Sequence, residues 1–209
     1  MFLNLQKAFD TVSHHILATK LNNAGIRGNS LHLIQNYLQD RLQTVRIKDT
    51  LSTPIANRYG IPQGTVLGPL LFLIYMNDLC ELPLDCIVIS FADDTVLYFE
   101  GETWTDVFKT ANDTINTVKK WLDQHLLTLN IQKTQYITFS INNTGQPQNT
   151  YTIKIHETKC NAVHCSCSEL KRVKSIRYLG VIIDNHLKWD EHIKLTATRI
   201  RHHKKFPCS

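Results

Sequence analysis

Two adjacent carboxylates, Asp93 and Asp94, stand in the middle of a stretch, residues 86–100, that is otherwise rich in β-branched and aromatic residues. An apolar run leads into the pair, and a second β-rich run follows it. Apolar strands that enclose a short polar centre are typical of a β-hairpin whose polar residues occupy the tip. The stretch therefore predicts a hairpin that carries Asp93 and Asp94 at its turn.

Such an acidic pair has a chemical consequence, because each carboxylate raises the pKa of its neighbour unless a cation lies between them. Carboxylates held on a rigid turn are typical of a divalent-metal site, and magnesium held in this way serves phosphoryl and nucleotidyl transfer. A solvent-exposed Asp-Asp turn is the commoner explanation of an isolated pair. Here the flanking residues are too apolar for an exposed loop, which favours the metal site.

Composition narrows the class of protein. The 209 residues are 43% hydrophobic, which is enough for a proper core, and the net charge is 23 − 18 = +5, which suits a polyanionic partner. No segment approaches the roughly 20 apolar residues of a membrane span. No signal peptide is visible at the start, which predicts an intracellular protein without a membrane partner.

Periodicity and capping signals predict further elements along the chain. Ser13 is a candidate N-cap for a helix that ends at Gly25, and Pro69 is a candidate first residue of a later helix. The remaining predicted elements are a helix near 30–39, a strand at 43–47, an amphipathic helix with its apolar stripe from Trp104 to Leu126, strands at 131–140, 151–155 and 175–183, and a basic helix at 191–206.

A glycine-rich segment, Gly60-Ile-Pro-Gln-Gly-Thr-Val-Leu-Gly-Pro69, separates the first two helices from the helix at Pro69. Its glycines would let the backbone approach a ligand closely. Gln63 could then hydrogen-bond a base or a sugar. An ordinary Gly/Pro connection explains the same composition equally well, so both interpretations stay open.

Cysteines cluster with a histidine between residues 159 and 167, at Cys160, His164, Cys165 and Cys167. Zinc is one interpretation of this cluster, but the spacing matches no common structural zinc site. Thiols on a reduced intracellular loop, without a metal, are the favoured interpretation.

Five segments together resemble successive motifs of reverse transcriptases, and they look most like those of non-LTR retrotransposons of the jockey or CR1 kind. In order they are Phe2-Leu-Asn-Leu-Gln-Lys-Ala-Phe-Asp-Thr-Val12, the glycine-rich segment 60–69, Phe91-Ala-Asp-Asp94, Leu129-Asn-Ile-Gln-Lys-Thr134 and Tyr178-Leu-Gly180. They span the chain from residue 2 to about residue 184.

The resemblance implies an α+β fold, the palm of a right-hand polymerase, with a four-stranded antiparallel sheet backed by helices. Residues 1–184 would form this palm, truncated at its N-terminus so that the fingers are missing. Residues 185–209 would begin the thumb as a short stub with a basic helix.

The resemblance also implies the chemistry of an RNA-directed DNA polymerase. The 3′-hydroxyl of a DNA primer, paired with an RNA template, would attack the α-phosphate of a dNTP with the help of two Mg²⁺ (or Mn²⁺) ions. For a retroelement the nucleus is one of the compartments open to such a protein.

By resemblance, each motif has residues with a role. Asp93 and Asp94 would be catalytic metal ligands, and Lys133 would be the general acid toward the leaving pyrophosphate. Phe9 would exclude a ribose 2′-hydroxyl, Gln63 and Gly64 would bind the nucleotide, and the primer grip would comprise Tyr178, Leu179 and Gly180.

One position departs from the family pattern. The third metal-binding carboxylate of the family falls at Asn4, which keeps a carbonyl oxygen but lacks the negative charge, so metal affinity should fall. Asp10 is too far along the chain to replace it, and we expect it to cap the next helix or to orient its neighbours. The alternative function is therefore a catalytically dead remnant that at most binds nucleic acid.

Overall fold

The computed structural model describes residues 1–140, 145–156, 160 and 167–203; of residues 202 and 203 it describes the backbone only. The five helices of this part are α1 (His14–Asn23), α2 (Gly28–Leu38), α3 (Leu67–Cys80), α4 (Trp104–Gln124) and α5 (Asp190–His203). Its strands are β1 (Phe2–Leu3), β2 (Leu42–Gln43), β3 (Arg46–Ile47), β4 (Thr50–Leu51), β5 (Ile55–Ala56), β6 (Ile87–Phe91), β7 (Asp94–Tyr98), β8 (Gln135–Tyr136), β9 (Lys154–Ile155), β10 (Ser168–Glu169), β11 (Lys171–Arg172), β12 (Ser175–Tyr178) and β13 (Val181–Asp184).

The central sheet has the strand order β11-β8-β1-β7-β6. Strand β1 pairs antiparallel with both β7 and β8, whereas β11 runs parallel to β8. The expectation of a four-stranded antiparallel sheet is therefore wrong in two respects, because a fifth strand is present and it is parallel. The extra antiparallel pair β9–β10 lies between β8 and β11 in the chain, and this additional reversal lets β11 run in the same direction as β8.

The hydrophobic core lies between this sheet and helices α1, α3 and α4. Leu17, Phe72, Tyr75, Ile115 and Leu122 are each fully buried there. The predicted apolar stripe of α4 is confirmed over most of its length. Leu126 is an exception, because the helix ends at Gln124 and Leu126 adopts a left-handed backbone conformation with half of its surface exposed.

A buried lysine ties the three helices together. The Lys20 ammonium of α1 donates to the Tyr75 carbonyl at 2.7 Å and pairs with the Asp78 carboxylate at 2.9 Å, both on α3. The same nitrogen lies 4.9 Å from the centre of the Trp121 ring of α4. Burial lowers the pKa of Lys20, although the hydrogen bond to Asp78 opposes this change.

The residues expected to begin helices were correct for α1 and wrong for α3. The Ser13 side chain accepts a hydrogen bond from the Ile16 amide, so the predicted cap of α1 is confirmed. Helix α3 begins at Leu67 and not at Pro69, because the Thr65 hydroxyl accepts the Gly68 N–H and stabilises an earlier first turn. Pro69 is still acceptable there, since the first turn needs no donor from it.

Four predicted strands differ from those observed. Of the strand expected at 151–155, only Lys154–Ile155 is a strand. The single strand expected at 43–47 is interrupted: β2 pairs with β5 and β3 pairs with β4, as two successive pairs of one hairpin whose register shifts by one residue between them. The strand expected at 175–183 is the hairpin β12–β13, because Leu179 and Gly180 have φ values of 45° and 86° and form a two-residue turn. Of the strand expected at 131–140, only Gln135–Tyr136 is a strand. The basic helix expected at 191–206 is α5, and residues 204–206 lie outside the described part.

No helix in the described part of the chain combines the length and the apolar character needed to cross a bilayer.

Candidate active site

The acidic pair lies at the tip of the β6–β7 hairpin, as the sequence predicts. Phe91 pairs with Asp94, so Ala92 and Asp93 form the turn and Asp94 is the first residue of β7. Ala92 has a φ of 54°, a conformation in which a residue with a Cβ atom is strained. Both carboxylates are exposed. The hairpin thus presents two negative charges at one end of the sheet.

The apolar flanks of this pair are less buried than expected. Strand β7 is buried at Val96 and Leu97, but on the edge strand β6 the side chains of Ile87, Ile89 and Phe91 are 56%, 48% and 63% exposed. The expected burial of both apolar flanks is therefore wrong for β6. An edge strand has a neighbouring strand on one side only, and nothing in the described part covers this face.

Asn4 lies beside Asp94 because of the register of β1. Leu3 pairs with Thr95 on β7, and both side chains point into the core, where they are 4% and 1% exposed. The next pair along the ladder is Asn4 and Asp94, and alternation places both on the opposite face of the sheet. The Asn4 carbonyl accepts the Asn130 N–H at 2.7 Å, which fixes its backbone.

A cavity of about 310 Å³ opens on this face of the sheet. Four of the predicted site residues line it: Asn4, Asp94, Lys133 and Tyr178. The other lining residues are Phe2, Leu3, Thr95, Gln135, Ser175, Ile176 and Arg177. Gln135 and Arg177 were not predicted as site residues. The sequence contained only one signal for them, which is that each lies next to a motif: Gln135 follows Thr134 and Arg177 precedes Tyr178. The structure therefore gathers residues from four separate motifs around one space.

Two groups at this cavity have shifted pKa values, and the cavity is also lined by the cationic side chains of Lys133 and Arg177. Burial, and after it the Asp93 charge, raises the pKa of Asp94 above its usual range. Burial, and after it Asp94, raises the pKa of the Tyr178 hydroxyl. That hydroxyl is buried without a hydrogen-bond partner in the part of the chain that the structure describes, and its ring packs edge-on against Phe2 at 5.3 Å. A cation bound near Asp94 would reverse the first shift, because it favours the ionised carboxylate.

The predicted residues of the glycine-rich segment do not line this cavity. The Gln63 amide donates to the Asp10 carboxylate at 3.1 Å, so Asp10 orients a neighbour and Ser13 caps the helix instead. Gly60 packs directly against the Asp10 backbone. Its φ is 91°, and a Cβ atom there would lie 2.9 Å from the Asp10 carbonyl oxygen, so only glycine fits this approach. Gly64 has a φ of 75° in the same segment.

Phe9 and the β12–β13 turn complete the predicted set. The Phe9 ring stacks on Phe72 of α3, with 4.4 Å between ring centres and 22° between their planes. Leu179 and Gly180 form the turn of the hairpin and do not line the cavity, whereas Tyr178 in β12 does. The hairpin thus places one of its three predicted residues next to Asp94.

The acidic hairpin thus lies on a helix-backed sheet, and residues of a second hairpin, β12–β13, line the same polar cavity. The chain belongs to the reverse transcriptase (RNA-dependent DNA polymerase) family, whose model matches residues 1–183. Membership of this family also implies a polymerase palm-type fold, and the layered α+β structure agrees with it. Reverse transcriptases generally use divalent metal ions.

Relatives confirm the resemblance to non-LTR retrotransposons of the jockey kind. The chain is 28% identical over 206 residues to the "Probable RNA-directed DNA polymerase from transposon BS" of Drosophila melanogaster. The aligned residues cover 95% of this chain and 21% of that protein. It is 26% identical over 202 residues to the RNA-directed DNA polymerase from mobile element jockey of the same species, covering 92% of this chain and 20% of that protein. The chain thus spans about a fifth of the length of these relatives.

Proposed function

We propose that this chain is the catalytic palm of an RNA-directed DNA polymerase, which extends a DNA primer on an RNA template with dNTPs. The observation that carries the proposal is the cavity in which Asn4, Asp94, Lys133 and Tyr178 meet beside the turn that holds Asp93. Four motifs that are far apart in the chain contribute to this one space. A single active centre requires such convergence.

The donor set of the cavity fits a hard divalent cation. Asp93 and Asp94 offer carboxylate oxygens, and Asn4 offers an amide oxygen; oxygen donors of this kind suit Mg²⁺ and Mn²⁺. Two ions held by these residues would neutralise charge on the transferring phosphate and lower the pKa of the attacking hydroxyl. Asn4 makes the set weaker than one with three carboxylates, because it contributes no net charge.

The other cavity residues have roles that follow from their chemistry. Lys133 carries an ammonium group at the cavity, and its backbone N–H donates to the Asn130 carbonyl at 3.2 Å, which anchors its turn. From there it would give a proton to the leaving pyrophosphate. Tyr178 and its hairpin would hold the primer end against the acidic turn.

Phe9 and the glycine-rich segment would select the nucleotide. Phe9, stacked on Phe72, would present a rigid ring edge against a ribose 2′-hydroxyl. Gln63, oriented by Asp10, would contact the incoming base, and the left-handed conformation of Gly64 would bring the backbone near it. The stacking of Phe9 on the buried Phe72 ring supports the first of these roles, because selection by shape needs a residue that is held in place.

We further propose that residues 1–184 form the palm and that residues 185–209 begin the thumb. Helix α5 contacts β13. The Asp184 carboxylate accepts hydrogen bonds from the backbone N–H groups of His186, Lys188 and Trp189, at 3.0, 3.1 and 2.7 Å. These bonds hold the pKa of Asp184 below its usual value. They fasten the first residues of the thumb to the hairpin that carries Tyr178.

A second candidate function follows from Asn4. Without the third carboxylate, the chain would be a remnant that binds nucleic acid and performs no chemistry. Its binding would be indifferent to divalent metal and would weaken with salt according to the number of phosphates neutralised.

Primer extension on an RNA template, with Mg²⁺ or Mn²⁺, separates the two candidates. The chain, its Asp93→Ala variant and its Asn4→Asp variant are compared at equal folded concentration. Extension by the chain that Asp93→Ala abolishes would establish the polymerase. Extension by Asn4→Asp alone would locate the defect at the third ligand. Metal-independent binding, without extension by any variant, would contradict the polymerase and leave the remnant.

A further inference from the structure

A second set of ligand-type side chains lies away from the active-site cavity. One ring nitrogen of His156 and the sulfur atoms of Cys160 and Cys167 all lie within 4.8 Å of one another. His156 is exposed, and the two cysteines are half-buried. None of the three lines the active-site cavity. The sequence pattern did not point to His156, and two members of the cysteine–histidine cluster, His164 and Cys165, lie outside the described residues.

The β9–β10 hairpin explains why two of these side chains meet. Ile155 pairs with Ser168 in this antiparallel hairpin. The next position on each strand is His156 and Cys167, so continuation of the ladder sets them opposite each other. Residues in that relation have Cβ atoms about 4.5–5.5 Å apart and point to the same side. The pairing of the hairpin is therefore a second reason, independent of the ligand distances, for their closeness.

Helix α4 holds this end of the hairpin rigidly. The Asn116 side chain accepts the His156 N–H at 2.7 Å and donates to the Lys154 carbonyl at 3.2 Å. One turn earlier, the Asn112 side chain accepts the Lys154 N–H at 2.8 Å and donates to the Thr152 carbonyl at 3.0 Å. The side-chain amides of both asparagines thus make the backbone hydrogen bonds that a neighbouring strand would otherwise make. A ligand on such a support is positioned before any ion arrives.

We propose that His156, Cys160 and Cys167 bind one Zn²⁺ ion. Thiolate sulfur and imidazole nitrogen are the donors that zinc prefers, at about 2.3 and 2.0–2.1 Å. Tetrahedral geometry with these bonds sets the donor atoms about 3.5–3.8 Å apart. The donor atoms already lie within 4.8 Å of one another, so small side-chain rotations would bring these three donors to that spacing, and a water molecule would supply the fourth. Binding requires both thiols to lose their protons, which makes the affinity rise with pH.

The site differs in chemistry from the acidic turn and would serve a different purpose. Its soft donors select zinc, whereas the oxygen donors around Asp94 suit magnesium. Cys167 leads directly into β10 and β11, and from there into β12 with Tyr178. The ion would link the end of β9 to the start of β10, and it would fix the strand that leads to the cavity. Metal binding of this kind stabilises the folded state.

Metal content and a thiolate spectrum test the proposal without any polymerase assay. The full chain is purified under reducing conditions with zinc present, its zinc is quantified, and Co²⁺ is then substituted for spectroscopy. We expect about one zinc per chain and the sulfur-to-cobalt charge-transfer band of a thiolate site. Cys160→Ser, Cys167→Ser and His156→Ala should each weaken zinc binding about 10–100-fold or more. Cys80→Ser, at an exposed cysteine at the end of α3, is the matched control and should change nothing.

Chelation covers the case in which a variant fails to fold. Removal of zinc from the unaltered chain should lower its melting temperature, and added zinc should restore it, whereas added Mg²⁺ should not. Less than stoichiometric zinc with no charge-transfer band would overturn the proposal. Wild-type affinity in all three ligand variants would do the same, as would loss of two thiols to a Cys160–Cys167 disulfide in protein that never takes up zinc.

Discussion

Asn4 is the residue whose replacement tests the geometry of the active site most directly. The pairing of Leu3 with Thr95 puts the Asn4 and Asp94 side chains side by side on one face of the sheet. Asn4→Asp would therefore add a second negative charge next to Asp94 and close to Asp93. In the absence of a cation the three carboxylates would repel. The variant should then be less stable than the unaltered chain.

The register sets the size of this effect. Directly paired side chains have Cβ atoms about 4.5–5.5 Å apart. Two unit charges about 5 Å apart repel by about 0.8 kcal/mol in bulk water and by about 3 kcal/mol at an effective dielectric constant of about 20. Asp94 is largely exposed, so screening favours the lower end, about 1 kcal/mol. For a chain of this length that corresponds to a fall in melting temperature of about 2–4 °C.

Magnesium and pH should each remove the penalty. Magnesium at ten times its dissociation constant stabilises the folded state by about 1.4 kcal/mol. At one fixed Mg²⁺ concentration the variant should gain more stability than the unaltered chain, because its extra carboxylate binds the ion more tightly. Burial already raises the pKa of Asp94, which means that the folded state favours its protonated form. The penalty should therefore be present at neutral pH and fade as the pH falls toward about 4, where both carboxyls take up protons.

Thermal melts in chelator and in Mg²⁺ measure this difference. Asn4→Ala is the control that removes the amide without adding charge, and it should show no extra response to Mg²⁺. Combining Asn4→Asp with Asp94→Asn restores the original charge count and should restore the stability in chelator. Equal melting temperatures of Asn4→Asp in chelator and in Mg²⁺, with no rescue by Asp94→Asn, would refute the placement of these two residues side by side.

Two further predictions concern stability. Gly60→Ala should lower the free energy of unfolding by about 1–3 kcal/mol more than Gly25→Ala does. The two glycines have φ values of 91° and 89°, but only at Gly60 would the new Cβ atom meet backbone, at 2.9 Å. Equal unfolding free energies of the two variants in urea would contradict this close approach. Asp78→Ala should cost about 1–3 kcal/mol, because it leaves the buried Lys20 ammonium without its carboxylate. Lys20→Met should cost less, since it keeps the apolar stem and leaves Asp78 half in water; the reverse order in urea titrations would contradict a buried charge at Lys20.

Much of the fold followed from local sequence signals. The acidic hairpin and the long helix α4 were predictable because turn residues and helical periodicity act over a few positions. The hairpin within 175–184 was not, because its turn contains Leu179, which gives no local signal of a left-handed conformation. The parallel strand β11 was missed for a different reason: strand direction depends on how the chain returns and not on its composition.

The sequence by itself determined the acidic tip, the order of the motifs and the loss of charge at Asn4, since each depends on the identity of residues that are close together in the chain. The tertiary structure alone decided which of those motifs share a cavity. Asn4 is held by Thr134, 130 residues along the chain, and Tyr178 lines the same cavity as Asp94 although the two lie in separate hairpins. The approach of His156 to Cys167 also depends on strand register, which is set by pairing across the sheet and burial of one face, and not by neighbouring residues.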